Sequence, residues 1–451
     1  MINQREQWGS KRGFVLAAAG SAVGLGNIWK FPYLVGENGG AAFILLYLVC
    51  VILVGLPVVI AEILIGRTTQ RNPVGSFREL SQGNPFWMAV GGLGVLTGFL
   101  ILSYYNVIAG WCLGYVVESF KGSFQQIENP ALAGELFSSL SSKPHWTLLF
   151  HGLFMMITIT VIYAGITKGI ERASKIMMPA LLVLILILVI RGVTLKGSAA
   201  GVGYLLKVDF SVITGKTFFL ALGQAFFSLS LGMGALLTYG SYMSKKESIP
   251  GSALQIVILD TVIALLAGFM IFPAVFAMGM HPAQGPSLIF NILPVVFNSI
   301  PAGYFFRIVF FLLLTVAALT STISLLEVIT TFVVDEFRLP RKMAAIFLGI
   351  VVFVIGLPSA LSFCGWQNVR LFGLTCFDFV DFISANIFLP LGGIFIALFV
   401  GWFWGAEKAS SHLLEGAVNL TPFLVSAWSI LIRFIAPVLI LLIFLSSIGI
   451  L

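Results

Sequence analysis

The chain has 451 residues, of which 59% are hydrophobic and only 10% charged, and its mean hydropathy is +1.05. A soluble domain carries about 25% charged residues, so this composition excludes a water-clothed globular protein. The formal net charge of +7 gathers into no basic run or stripe, which excludes a nucleic-acid binder and leaves membrane topology as its meaning.

Windows of about 20 residues find apolar spans near 11–35, 41–66, 87–119, 146–165, 174–195, 217–241, 253–279, 303–334, 342–362, 375–402 and 428–450. The expected fold is an all-α membrane protein of eleven transmembrane helices in one polytopic domain, 1–451. Span one has a basic flank like a signal peptide, but no small-residue cleavage site follows, so it is expected to stay. No soluble domain or twelfth span is expected.

Two spans are broken by glycine: Gly20-Ser-Ala-Val-Gly-Leu-Gly-Asn27 interrupts span one and Ser228-Leu-Ser-Leu-Gly-Met-Gly234 interrupts span six. Glycine permits unwinding, and an unwound stretch bares carbonyls for a cation and half-helix N-termini for a carboxylate. Such backbone is tolerated at membrane depth only where it is buried or lines a site. Matching breaks in two halves of a membrane protein point to an ion-coupled transporter.

Other spans carry single informative residues. Span five holds Gly169 and Pro179, which would let its end unwind, although a plain proline kink competes with that reading. Asp260 stands without basic neighbours in span seven, and an intramembrane carboxylate is a functional candidate by default. Thr320 and Ser321 in span eight supply hydroxyls, which taken alone are more often packing residues. Cys364 and Cys376, near the ends of spans nine and ten, could bridge, although buried free thiols are the commoner outcome. The stretch 288–297 is too short to cross and is expected as a re-entrant or surface helical hairpin. His145, His151, His281 and His412 form no cluster, and no nucleophile–base arrangement appears, so no enzyme is expected.

Lys and Arg concentrate in alternate loops, at Arg5, Lys11, Arg12, Arg67, Arg71, Arg78, Lys168, Arg172, Lys175, Lys245, Lys246, Arg338, Arg341 and Lys342. The positive-inside rule makes that side cytoplasmic, with the N-terminus inside and the C-terminus outside.

The segments Arg5-Glu-Gln-Trp8, Gly24-Leu-Gly-Asn27-Ile-Trp-Lys-Phe-Pro-Tyr33, Glu37-Asn-Gly-Gly40, Lys168-Gly-Ile-Glu-Arg172 and 224–234 run in that order. In them the chain resembles the neurotransmitter:sodium symporter family, in its bacterial amino-acid branch, from residue 5 to about residue 437. The resemblance implies two inverted repeats of five helices, 11–195 and 217–402, with 428–450 peripheral, in a bacterial inner membrane. It implies no prosthetic group and two Na⁺ as co-transported ions.

By the same resemblance, one sodium site takes the Ala22 carbonyl, Asn27, Ser228, Asp260 and the substrate carboxylate. The other takes the carbonyls of Gly20, Val23 and Ala317 with the hydroxyls of Thr320 and Ser321. Sodium is a hard ion, which suits these oxygen ligands. Relatives hold asparagine at the position of Asp260, and a carboxylate or chloride lies nearby. Ala264 occupies the neighbouring position here, so Asp260 is expected to replace chloride and to exchange its ion for a proton.

Monoamine carriers hold aspartate at the position of Gly24. Glycine instead leaves room for a substrate carboxylate beside Ala22, Leu25, Gly26 and Tyr105, so an L-amino acid is implied. Its amine would meet Phe227, Ser228 and Ser230. Its side chain would meet Ile101, Met233, Ser321, Ser324, Leu325 and Phe227, a wall without charge that suits hydrophobic or aromatic side chains. The resemblance implies an outer gate of Lys30, Asp381, Tyr105 and Phe227, and an inner gate of Arg5, Trp8, Tyr242, Glu327 and Asp335. A proton-coupled transporter of the same fold and a non-transporting amino-acid sensor are the competing functions.

Overall fold

The computed structural model describes residues 5–280, 288–416 and 420–451. Among them nine helices are long and apolar enough to cross a membrane, or up to ten if a bent pair counts as one span. The bent pair is α1 (Lys11–Ala22) and α2 (Gly26–Glu37). It is followed by α3 (Ala41–Thr69), α4 (Pro85–Lys121), α5 (Pro144–Tyr163) and α6 (Ile166–Val193). Two short helices come next, α7 (Gly215–Ser228) and α8 (Ala235–Gly240). The chain continues through α9 (Ile249–Ala277), α10 (Gly303–Phe337), α11 (Arg341–Leu361), α12 (Cys376–Phe403) and α13 (Pro422–Ser447).

Local sequence explains several of the starts. Ser10 Oγ accepts from Gly13 N and caps α1. Asn84 caps α4 ahead of Pro85, and Thr214 forms a reciprocal capping box with Thr217 at α7. Each side chain satisfies N–H groups that a helix start leaves unpaired.

Burial separates the centre from the rim. The most apolar stretch of α10 is 78% buried, against 28% for α6 and 22% for α13. A helix with so much apolar exposure has its partner in lipid rather than protein. α10 is therefore the central post, and both breaks abut it or its neighbours.

The breaks differ in construction. Between α1 and α2 only Val23, Gly24 and Leu25 intervene, and the axes bend by 53°. Between α7 and α8 the chain runs unwound from Leu229 to Gly234, with left-handed φ at Ser230 (55°), Gly232 (83°) and Gly234 (73°). A serine there is strained, and the packing around it must hold it. A Cβ on Gly232 would lie 2.4 Å from Leu389 O, so α12 presses its backbone against the unwound segment.

The structure answers several expectations, and corrects the one for 288–297. The span at 217–241 is broken as expected into two short helices, where the glycines end the hydrogen-bond ladder, so it does not count among the long helices. Residues 289–298 form one short apolar helix, Ile289–Asn298, rather than a hairpin. Its buried side chains Val295, Val296 and Phe297 give it a packed face of its own. Residues 281–287, with His281, lie outside the described residues. Cys364 and Cys376 are free thiols. α6 runs unbroken past Pro179, as spanning helices tolerate proline.

Candidate substrate and cation site

The two breaks bring the oxygen-bearing residues together. From α2, Asn27 Nδ2 donates to Asp260 Oδ1 at 2.7 Å and to Ser228 Oγ at 3.1 Å. Ser228 Oγ donates to Asp260 Oδ2 at 2.6 Å. Asn27, Ser228 and Asp260 are all buried. A carboxylate sunk in low dielectric is costly unless paired or hydrogen-bonded, and here both oxygens are bound. No basic side chain forms an ion pair with Asp260 among the described residues, so if Asp260 is ionised its charge is left for a cation to balance. Ala22 lies beside it on the wall of the cavity described below.

A second cluster forms where α1 meets α10. Thr320 Oγ1 donates to Val23 O at 3.2 Å and to Ala317 O at 2.8 Å. Ser321 Oγ reaches Ala317 O and Ser21 O, each at 3.5 Å. Gly20 faces Thr320, since a Cβ there would lie 3.3 Å from Thr320 Cβ. Carbonyl and hydroxyl oxygens are the ligands that a hard cation takes.

Between the clusters lies a cavity lined by Ala22, Gly24, Gly26, Ile101, Tyr105, Phe227, Ser228, Ser230, Met233, Ser321, Ser324 and Leu325, with Ser21 and Leu389 completing the wall. Every predicted substrate-contacting residue is there except Leu25, whose N–H donates to Tyr105 Oη at 3.1 Å instead. A side chain at Gly24 would point into the cavity and displace the Ser321 hydroxyl, since a Cβ would fall 2.5 Å from Ser321 Oγ and 3.1 Å from Tyr105 Oη. Hydroxyls gather around Gly24, where Ser321 Oγ and Tyr105 Oη are its nearest neighbours. Ile101, Met233 and Leu325 supply apolar wall.

Beyond Phe227 and Leu389 a wider space of about 580 Å³ opens, lined by Lys30, Lys216, Gln224 and Asn386 among others. Lys30 and Asp381 do not form the expected ion pair among the described residues. Lys30 Nζ instead lies 4.3 Å from the centroid of the Phe227 ring, where the ring quadrupole holds the cation.

The opposite end is closed. Arg5 Nη1 pairs with Asp335 at 2.7 Å, and its other nitrogen donates to Ser241. Trp8 Nε1 donates to Tyr239 O, and Trp8 N to Tyr242 O. Tyr242 Oη donates to buried Glu327 at 2.6 Å, and Arg341 pairs with the same carboxylate at 2.5 Å.

Some residues of this arrangement escaped the sequence reading. Glu62 is fully buried in α3 and accepts from Gly232 N at 2.7 Å, so a carboxylate holds the second break. The rule that singled out Asp260 would have found it, since Glu62 is also an ionisable residue inside an apolar span. Tyr47 Oη approaches Ser228 Oγ at 3.4 Å. Leu389 and Arg341 carried no such signal, because their roles come from which helices become neighbours.

Comparison with known proteins follows the same lines. The model of the sodium:neurotransmitter symporter family matches residues 5–144 and 139–450. An uncharacterized sodium-dependent transporter of Bacillus subtilis (strain 168) is 41% identical over 445 residues, covering 99% of this chain and 98% of that protein. The sodium-dependent serotonin transporter of Drosophila melanogaster is 29% identical over 497 residues, covering 98% of this chain and 76% of that one. A crystal structure of MhsT in complex with L-phenylalanine matches with a TM-score of 0.89 at 48% identity, covering 98% of this chain and 100% of that chain.

Proposed function

Because this chain belongs to the sodium:neurotransmitter symporter family, whose members are transporters and not enzymes, we propose that it imports hydrophobic or aromatic L-amino acids driven by two sodium ions. The carrying observation is the cavity at the two breaks, whose wall shares Ser228 and Ser321 with the two oxygen clusters and carries no charged side chain. The phenylalanine in the MhsT structure supports an aromatic ligand for so similar a chain.

In this reading the substrate carboxylate meets the Gly24 to Gly26 backbone, Tyr105 Oη and the sodium ion held by Ala22, Asn27, Ser228 and Asp260. The amine meets carbonyls at Phe227, Ser228 and Ser230. The second ion sits among Gly20, Val23, Ala317, Thr320 and Ser321 and ties α1 to α10. Spans 11–195 and 217–402 act as inverted repeats around this site, with 428–450 at the rim.

Transport then alternates between the two ends. The space beyond Phe227 receives solute while the Arg5–Asp335 pair and the Trp8 contacts keep the other end shut. An exposed pair contributes only about 0–1 kcal/mol, so the latch can open once the site has loaded. The positive-inside pattern puts the Arg5 end in the cytoplasm of a bacterial cell.

The Asp260 cluster favours one refinement. A built-in carboxylate makes chloride unnecessary, and after release of sodium and substrate a proton takes the cation's place, so each cycle exports a proton. A carrier driven by protons alone would work without sodium, and a sensor would bind without accumulating.

Uptake of labelled phenylalanine, tyrosine, tryptophan and leucine into proteoliposomes, with and without a sodium gradient, tests the reading. Accumulation that requires sodium is expected; sodium-independent accumulation, or binding without accumulation, overturns it. In Gly24→Asp the new carboxylate would occupy the substrate carboxylate's place and repel it. Calorimetry should register no amino-acid binding by that variant, and retained tight binding would refute the orientation.

A further inference from the structure

On the Arg5 side of the molecule, a cavity of about 430 Å³ is lined by Gly9, Thr167, Glu171, Arg172, Lys175 and Ile176. It plays no part in the transport cycle described above. We propose that it binds the phosphate headgroup of an anionic phospholipid from the adjoining leaflet.

The argument begins with the face of α6. Ile176, Val183 and Ile190 are exposed by 64%, 56% and 62%, and they follow Arg172 at spacings of four, eleven and eighteen residues. Those spacings fall on one stripe of a helix. An exposed apolar stripe on so little-buried a spanning helix is a lipid face. Arg172 therefore stands at the end of a lipid track, at the depth where headgroups lie.

Charge follows the same line. Arg172 has no carboxylate within ion-pair distance among the described residues, so its guanidinium is available to an incoming phosphate. Lys175 lies beside it, with Nζ 2.5 Å from Glu171 Oε1. Glu171 adds negative charge to the wall, but its carboxylate is already used. It accepts from Gly9 N at 2.7 Å, from Ser10 Oγ at 2.9 Å and from Lys175. The guanidinium fork matches phosphate geometry, and basic residues at the cytoplasmic end of a spanning helix attract anionic headgroups.

The cavity also touches the start of α1. Gly13 is held so close to Glu171 that a Cβ would fall 2.2 Å from Oε1. A headgroup at Arg172 and Lys175 would rest against the staple that joins α1 to α6. Lipid binding is therefore expected to raise thermal stability.

The test titrates the purified full chain in detergent with short-chain phosphatidylglycerol, short-chain phosphatidylcholine and inorganic phosphate, following thermal unfolding. Phosphatidylglycerol should raise the midpoint saturably; phosphatidylcholine and inorganic phosphate should not. Arg172→Gln should raise the half-saturating phosphatidylglycerol concentration about tenfold, in line with the loss of one charge-assisted bidentate contact. The control Arg338→Gln, also basic and on the same side, should respond like the unchanged chain. Arg172 is exposed and unpaired, so its variant should fold; Arg172→Glu, with reversed charge, should abolish the response. An unaltered response in both Arg172 variants overturns the site. An equal shift with inorganic phosphate or phosphatidylcholine overturns the anionic-lipid assignment.

Discussion

The two oxygen clusters flank one cavity, yet only one of them contains an ionisable group. Around Asp260, a carboxylate binds an amide and a hydroxyl through charge-assisted contacts of 2.6 and 2.7 Å. Around Thr320, neutral hydroxyls lean on carbonyls at 2.8 to 3.5 Å, one of which, Ala317 O, is in their own helix. The difference teaches how a cation can be held in two ways within one membrane protein. In the proposed cycle the carboxylate side trades its ion for a proton and takes no anion from solution. The neutral one depends on geometry alone, so it exists only while α1 and α10 stay aligned.

The sharpest break of the comparison comes from the neutral side. Thr320→Val with Ser321→Ala removes both hydroxyls while keeping side-chain bulk. Each lost ligand is worth about 1–2 kcal/mol, so sodium-driven phenylalanine uptake in proteoliposomes should fall about 100-fold. A double variant with normal sodium-driven uptake would remove that cluster from the mechanism.

On the charged side, Asp260→Asn keeps an amide oxygen for the ion but deletes the fixed charge. Its half-saturating sodium concentration should rise about tenfold, as for one lost charged hydrogen-bonding partner. An imposed proton gradient should no longer stimulate uptake, and added chloride should restore part of the rate. If the variant still responds to the proton gradient as the parent does, the charge at Asp260 is not the exchange group.

A smaller effect sharpens the boundary of that cluster. Tyr47 Oη approaches Ser228 at 3.4 Å, a long contact worth less than about 1 kcal/mol. Tyr47→Phe should shift sodium half-saturation by about fivefold or less; a change as large as that of Asp260→Asn would make Tyr47 a ligand in its own right. The smallest expected effect is none: replacing external chloride with gluconate should leave uptake by the parent chain unchanged. A chloride requirement would mean that Asp260 does not supply the compensating charge.

Much of this site was legible in the chain because hydrocarbon punishes exceptions. Glycine clusters and a lone carboxylate inside apolar spans stand out where almost every other residue is aliphatic. For that reason the two breaks and Asp260 stood out in the chain itself, whereas the roles of Gly24, Ser228, Thr320 and Ser321 came from the family resemblance. Glu62 was equally visible, but it stood in a span with no glycine break to draw attention to it.

The length and apolarity of each stretch, the two breaks and the residues bearing oxygen were set by local chemistry, and one sequence suffices to read them. Adjacency was decided only by tertiary structure. Leu389 seals the cavity because α12 backs onto the unwound segment at Gly232. Arg341 reaches Glu327 because α11 folds beside α10. Lys30 rests over Phe227 rather than on Asp381. Apolar spans look alike to their neighbours in lipid, so which of them meet depends on side-chain packing across the whole bundle, and no window of sequence contains that information.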